Sequence, residues 1–177
     1  MIFDPAPIEG SYSIEIERLE DERGFFARTF CQEEFRRVGL DPCVAQCGLS
    51  FNPVRGTLRG LHLQHAPHEE AKLVRCTAGK IYDVILDVRR GSPTFAHWWA
   101  VELTPRSGRS LYIPAGVAHG FQTLEPDTEV SYQLSRAYVP EAAGGVRWDD
   151  PAFAIEWPLE VTAMSAGDRG RADFTRA

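Results

Sequence analysis

No apolar run in this 177-residue sequence approaches the ~20 residues that a helix needs to span a bilayer. Residues 1–10 carry acids and prolines instead of a basic stretch followed by an apolar one, so no secretory leader is expected. Cysteine is scarce: Cys31, Cys43, Cys47 and Cys76 make up the four, and none forms a CxxC pair. Cys43 and Cys47 have no matching second pair, which argues against a zinc site. Free thiols in a cytoplasmic protein are the expectation. Positive charge is in deficit, with a net charge of -6. That balance excludes a broad surface for nucleic acid or an anionic membrane, but not a local basic pocket. Internal repeats, low-complexity segments and linkers are absent as well.

The rest of the composition is that of a globular protein, 44% apolar and 25% charged, and the length suits one domain over residues 1–177. The 15 glycines and 12 prolines are spread along the chain, as turns between many strands require. Alternation predicts strands at 13–17, 25–30, 43–51, 56–63, 72–75, 80–87, 96–103, 110–113, 119–123 and 128–135. A short polar helix is expected over 32–38, ended by Gly39. Turn residues such as Asn52-Pro53, Gly91-Ser92-Pro93 and Pro114-Ala115-Gly116 separate the strands. Strand after strand with no long helix reads as an antiparallel sandwich or barrel, all-β with a few short helices. Beyond Pro140 the pattern becomes irregular, which suits a segment crossing the barrel with one short helix. The last dozen residues read as loosely ordered.

Polar chemistry concentrates between Thr57 and Arg75, in TLRGLHLQHAPHEEAKLVR. Three of the five histidines, two arginines, a lysine and two glutamates fall in these residues, within strand rhythm. His65, His68, Glu69 and Glu70 suggest a metal cluster, yet the Ala66-Pro67 turn and the lack of a paired ligand favour solvated loop residues.

Two segments resemble the cupin motifs of eight-stranded jelly-roll barrels. Gly108, Pro114, Gly116 and His119 match the second motif, in which a tight Pro/Gly turn aims the histidine into the barrel. The first motif supplies His-x-His and a glutamate separated by six residues from a glycine. Counted back from Gly79, these positions hold Ala66, His68 and Lys72. An ammonium in place of a carboxylate is strongly unfavourable beside a divalent ion. No metal and no other cofactor is therefore expected.

The chain also resembles the dTDP-4-dehydrorhamnose 3,5-epimerase family, metal-free cupins acting on nucleotide-linked 4-keto-6-deoxy sugars. The matching segments are DERGFF, GTLRGLHLQ, AKLVRCTAGKIYDVILDVRRGSPTF, LYIPAGVAHGFQTL and GVRWDDPAFAIEWP. The resemblance implies His62 as catalytic base, Asp168 as its partner acid and Tyr132 as proton donor. It puts Arg59, Lys72 and His119 on the substrate, and Arg23 and Gln46 on its nucleotide part. It further implies a homodimer whose subunits exchange N-terminal strand material, so that Arg23 serves the neighbouring site. Arg28, Cys47-Gly48, Ala143 and Gly167 stand where the family often has Glu, Asp-Asn, Glu and Lys.

These residue types suit the implied chemistry. A 4-keto group acidifies the hydrogens on C3 and C5, and a histidine, ordinarily of pKa ~6.5, is an available base near neutral pH. A carboxylate fixes its tautomer. A cation such as Lys72 faces the developing oxyanion, and a tyrosine returns a proton from the other side. The expected activity is epimerisation at C3, C5 or both. The alternatives are a 3,4-ketoisomerase on a similar sugar nucleotide, a metal-dependent cupin oxygenase and a catalytically silent sugar-nucleotide binding module.

Overall fold

The computed structural model describes residues 1–175; Arg176 and Ala177 lie outside the described residues. Its strands are β1 (Ile2–Pro5), β2 (Tyr12–Glu15), β3 (Leu19–Asp21), β4 (Gly24–Phe26), β5 (Gln46–Asn52), β6 (Leu58–Gln64) and β7 (Lys72–Ala78). There follow β8 (Ile81–Asp87), β9 (Trp98–Leu103), β10 (Arg109–Ile113), β11 (Val117–Thr123), β12 (Thr128–Leu134) and β13 (Ala143–Gly145). Two short α-helices, α1 (Gln32–Arg37) and α2 (Ala166–Arg169), and a single 3-10 turn (Pro140–Ala142) complete the described elements.

A six-stranded sheet in the order β1-β2-β10-β7-β12-β5 faces a five-stranded sheet in the order β13-β6-β11-β8-β9. The pairings between these strands are antiparallel, and β3-β4 forms a separate hairpin. This is the jelly-roll architecture expected of a cupin. Alternation explains how the sheets find each other: Val74, Cys76, Leu111, Ile113 and Val130 from the larger sheet meet Ile81, Ile85, Val117 and Phe121 from the smaller. The outer face of the smaller sheet is covered by a second cluster, in which Leu61, Leu63, Val84 and Leu86 pack against Val146, Phe153 and Ile155. The irregular segment after residue 140 therefore supplies the lid of that face.

Several expected boundaries move. The strand expected at 43–51 begins at Gln46, because Asp41 Oδ1 accepts from the Cys43 N–H at 2.9 Å and turns the chain there. The strand expected at 25–30 shrinks to the exposed hairpin arm β4, which leaves the chain free to enter α1. The short edge strands β1 and β13 carry no alternation of their own; each exists through its partner, β2 or β6.

Of the last dozen residues, expected to be loosely ordered, 166–175 are tied to the barrel together with the stretch just before them, and the expectation for Arg176 and Ala177 falls outside the described residues. Leu58 N–H donates to Ala163 O at 2.9 Å and Thr162 N–H to Gly56 O at 3.1 Å, which lays the segment along the start of β6. Phe174 packs on Phe153 with ring centroids 5.1 Å apart. Between these anchors α2 starts at Ser165, whose hydroxyl accepts from Asp168 N–H at 3.0 Å.

Candidate active site

Between the two sheets lies a cavity of about 440 Å³, within the ordinary range for small-molecule sites. The same alternation that builds the core aims Lys72, Asp83, His119 and Tyr132 at the space between the sheets. Lys72 precedes Val74 and Cys76 on one face of β7, and Tyr132 follows Val130 on β12. His119 lies between Val117 and Phe121 on β11, and Asp83 between Ile81 and Ile85 on β8. His62 on β6 stands opposite His119 in register. Of these, Lys72, His119, Tyr132 and His62 line the cavity together with Arg59, Glu70, Ser50, Tyr138 and Arg171. A second opening of the same volume, lined by Asn52, Val54, Met164 and Asp168, shares Arg59 and His62 with the first.

Close approach of two strands sets the histidine's position. Gly60 has φ +130, and a Cβ there would stand 2.4 Å from Gly120 Cα, so neither strand could hold this spacing with a side chain at residue 60. A bulge between His119 and Phe121 accompanies the approach.

His62 Nε2 lies 2.6 Å from Asp168 Oδ1, and Gly60 N–H donates to Asp168 Oδ2 at 3.4 Å. Burial opposes ionisation of Asp168. The hydrogen bond and charge of His62, with Gly60 and Ser165, outweigh it and hold the carboxyl below its ordinary value. An ionised carboxylate accepts only, so Nε2–H donates and the neutral ring carries its lone pair on Nδ1. The His62 side chain is 45% exposed, against 7% for Asp168. The imidazole is thus accessible and its partner is not.

A buried polar network forms the other walls. Lys72 Nζ donates to His62 O at 2.9 Å and pairs with Glu70 Oε1 at 3.2 Å. Burial lowers the Lys72 pKa, with the charge and hydrogen bond of Glu70 and the charge of Asp83 opposing. His119 Nε2 lies 2.7 Å from Asp83 Oδ1. Glu70 Oε2 and Asp83 Oδ2 are buried without a hydrogen-bond partner. The Tyr132 hydroxyl is 3.2 Å from Ser50 Oγ, and its ring meets that of His119 edge-on at 6.3 Å. Burial pushes the Tyr132 phenol up to about 12, with Asp83 adding and Ser50 and Arg59 opposing. Tyr132 therefore holds its proton throughout the neutral range.

Family model and relatives bear on this cavity. The family model described as dTDP-4-dehydrorhamnose 3,5-epimerase matches residues 5–176. The chain belongs to the dTDP-4-dehydrorhamnose 3,5-epimerase family. It is 42% identical over 162 residues to the family's enzyme from Sinorhizobium fredii, covering 92% of this chain and 83% of that protein. It superimposes on a Bacillus anthracis member, crystallised with TDP and PPi bound, at a TM-score of 0.94 and 34% identity. That match covers 98% of this chain and 99% of the other. A Legionella pneumophila member in complex with dTDP-4-keto-L-rhamnose gives a TM-score of 0.87 at 35% identity, covering 94% and 89% of the two chains. The family is one of isomerases, epimerases of deoxysugar biosynthesis.

Six of the residues implied by the resemblance, His62, Asp168, Tyr132, Lys72, Arg59 and His119, meet at these two openings. Arg23 and Gln46 do not. Arg23 sits at the turn of the β3-β4 hairpin, 84% exposed and paired with Asp21, and the Gln46 side chain accepts from Tyr138 N–H at 3.0 Å outside the cavity. Glu70 corrects the expectation of a solvated loop: it is buried beneath the cavity because Lys72 needs a counter-charge there. His65 and His68 are exposed as expected, and among the described residues no group of three or more His, Cys, Asp and Glu side chains is arranged to hold a metal ion. Gly48 and Ala143, two of the positions where the resemblance led to the expectation of a larger polar residue, line the cavity. Asp83, Ser50 and Asn52 carry no motif, although strand parity with Ile81 and Ile85 would have put Asp83 inside.

Proposed function

We propose that this chain inverts C3 and C5 of a thymidine-diphosphate-linked 4-keto-6-deoxyhexose, with His62 as base and Tyr132 as acid. The observation that carries the reading is the Nε2–Oδ1 contact of 2.6 Å between His62 and Asp168, facing Tyr132 across one cavity. His62 comes from the smaller sheet and Tyr132 from the larger, so base and acid approach a sugar ring from opposite sides. Nδ1 of His62 takes the hydrogen next to the carbonyl, and Asp168 stabilises the imidazolium. The enolate oxygen is met by the cationic wall around Lys72 and by His119. Tyr132 delivers the proton to the opposite face. Arg59, whose Nε–H donates to Asn52 Oδ1 at 2.7 Å, keeps its terminal nitrogens for the diphosphate. The thymidine nucleotides bound by the Bacillus anthracis and Legionella pneumophila members support this substrate class.

The same reading makes the chain a single-domain homodimer of the cytoplasm. Four free cysteines suit a reducing compartment. The exposed Leu19, Phe25 and Phe26 of the β3-β4 hairpin, with exposed Leu49 and Phe51 on the edge strand β5, suit burial against a second copy that receives Arg23. Among the described residues no helix is long and apolar enough to cross a membrane.

Incubation with dTDP-4-dehydro-6-deoxyglucose followed by borohydride trapping tests the reaction. Reduction of the C4 ketone of the sugar inverted at both centres is expected to give the nucleotide-linked 6-deoxy-L-mannose and its C4 epimer, 6-deoxy-L-talose. A carbonyl moved to C3 contradicts the reading.

A further inference from the structure

Arg171 stands three residues beyond Asp168, and the proton-transfer chemistry does not use it. It lines the cavity with His62, Lys72 and Tyr132, and its side chain is 26% exposed. Its Nε is buried without a hydrogen-bond partner. Its ion-pair partner is Asp168 Oδ1 at 3.7 Å, beyond hydrogen-bond reach. Gly145 leaves the room for it, since a Cβ at that position would stand 3.0 Å from Arg171 Cζ.

The other cations of the cavity wall are differently placed. Lys72 is bound to Glu70 and to the His62 carbonyl, and Arg59 is bound through Nε to Asn52. Among the described residues Arg171 is the cavity cation that makes no hydrogen bond. The Arg171 Nε has left water without gaining an acceptor, and its 3.7 Å ion pair with Asp168 offsets only part of that cost. A ligand that brings anionic oxygens into the cavity removes that cost. The planar fork of a guanidinium matches the oxygens of a phosphate, whereas sugar hydroxyls offer it no charge.

We propose that Arg171 is a further substrate-binding residue, which takes phosphate oxygens of the nucleoside-diphosphate sugar and shares the diphosphate with Arg59. This rests on the functional reading above and adds to it a residue that no motif marks. Arg171 then has a role in holding substrate and not in moving protons.

Calorimetric titration with thymidine diphosphate as probe, and in parallel with thymidine, tests the proposal on the full chain and on Arg171→Gln and Arg171→Lys. The charge-assisted fork is expected to make thymidine diphosphate bind about 10- to 100-fold more weakly to Arg171→Gln. Arg171→Lys should recover part of the loss, and thymidine should bind all three proteins alike. With the sugar nucleotide, KM should rise more than kcat falls. Unchanged thymidine diphosphate affinity in Arg171→Gln overturns the proposal, as does an equal loss of thymidine affinity. A wild-type protein that epimerises the sugar while Arg171→Gln binds thymidine diphosphate normally overturns the inference alone. A wild-type protein that binds no thymidine diphosphate overturns the functional reading and this inference with it.

Discussion

The Lys72 ammonium donates to the main-chain oxygen of His62 at 2.9 Å, so the buried cation of the cavity and its accessible imidazole are joined through the backbone of β6. Lys72 opens β7 of the larger sheet and His62 lies on β6 of the smaller, so this one side chain links the two sheets at the floor of the site while also holding Glu70. On the proposed mechanism, stability and catalysis share this residue.

Lys72→Met should separate the two roles when combined with a second change. Alone it leaves Glu70 buried without a counter-charge and is expected to lower stability by about 3 kcal/mol, together with an activity loss of about a hundredfold. The double variant Lys72→Met/Glu70→Gln should recover much of the stability, measured by urea unfolding, and none of the activity. Recovery of both would make Lys72 purely structural.

Asp168 is held below the ordinary carboxyl pKa, so it stays ionised across the neutral range. Its stabilising effect is complete above the ordinary carboxyl value near ~4 and is lost as pH falls through the lower folded value. Asp168→Asn keeps the shape but donates where a carboxylate should accept. A drop in kcat of about a thousandfold with little change in KM is expected, and with it a shallower acid limb in thermal unfolding. An unchanged kcat removes Asp168 from its role.

Tyr132→Phe should uncouple proton removal from inversion. His62 still abstracts the hydrogen, so deuterium from heavy water is expected to enter the unreacted sugar with retained configuration while inverted product fails to accumulate. Nuclear magnetic resonance of the recovered substrate reads both. Inversion at the wild-type rate assigns the acid to another group. Wild-type minus Tyr132→Phe difference titration should also show a phenolate step near 12. In the folded protein the stability linked to this phenol is intact below pH ~10, where the unfolded chain begins to ionise, and falls from there towards 12.

Subunit mixing tests the placement of Arg23. If the hairpin serves the neighbouring cavity, one His62→Ala subunit and one Arg23→Ala subunit form a dimer with one intact site and one doubly altered site. Activity should reappear on mixing after unfolding and refolding. Mixtures that stay as inactive as the parents place Arg23 in its own subunit's function or in none.

How far the site was legible follows from where each residue sits. Lys72, His119 and Tyr132 occupy alternating strand positions beside core residues such as Val74, Phe121 and Val130, so strand parity alone turns them inward. His62 is marked by its Arg-Gly-Leu-His context, and Gly60 in that context is what the close approach to Gly120 demands. Asp168 has no periodicity around it; only likeness to the family pointed to it, because its position depends on hydrogen bonds between the tail and residues 56–58. Glu70 sits in a stretch that reads as solvent-exposed, and the ion pair with the inward-facing Lys72 two residues on is what holds it inside. Arg171 is equally silent, since an arginine near a chain end ordinarily faces water and its cavity forms only when β13 leaves a glycine beside it. The short strands β1 and β13 escape notice because neither alternates on its own; β1 is held by the adjacent β2 and β13 by β6, far away in sequence.

The most direct measurement is deuterium incorporation at C3 and C5 of dTDP-4-dehydro-6-deoxyglucose in heavy water, compared between the wild-type protein and His62→Ala. Wild-type protein should label both carbons. His62→Ala, which still carries Arg59, Lys72 and Arg171, should bind thymidine diphosphate normally and label either carbon at least a hundredfold more slowly. Labelling of both carbons by His62→Ala at a rate near wild type would contradict the account.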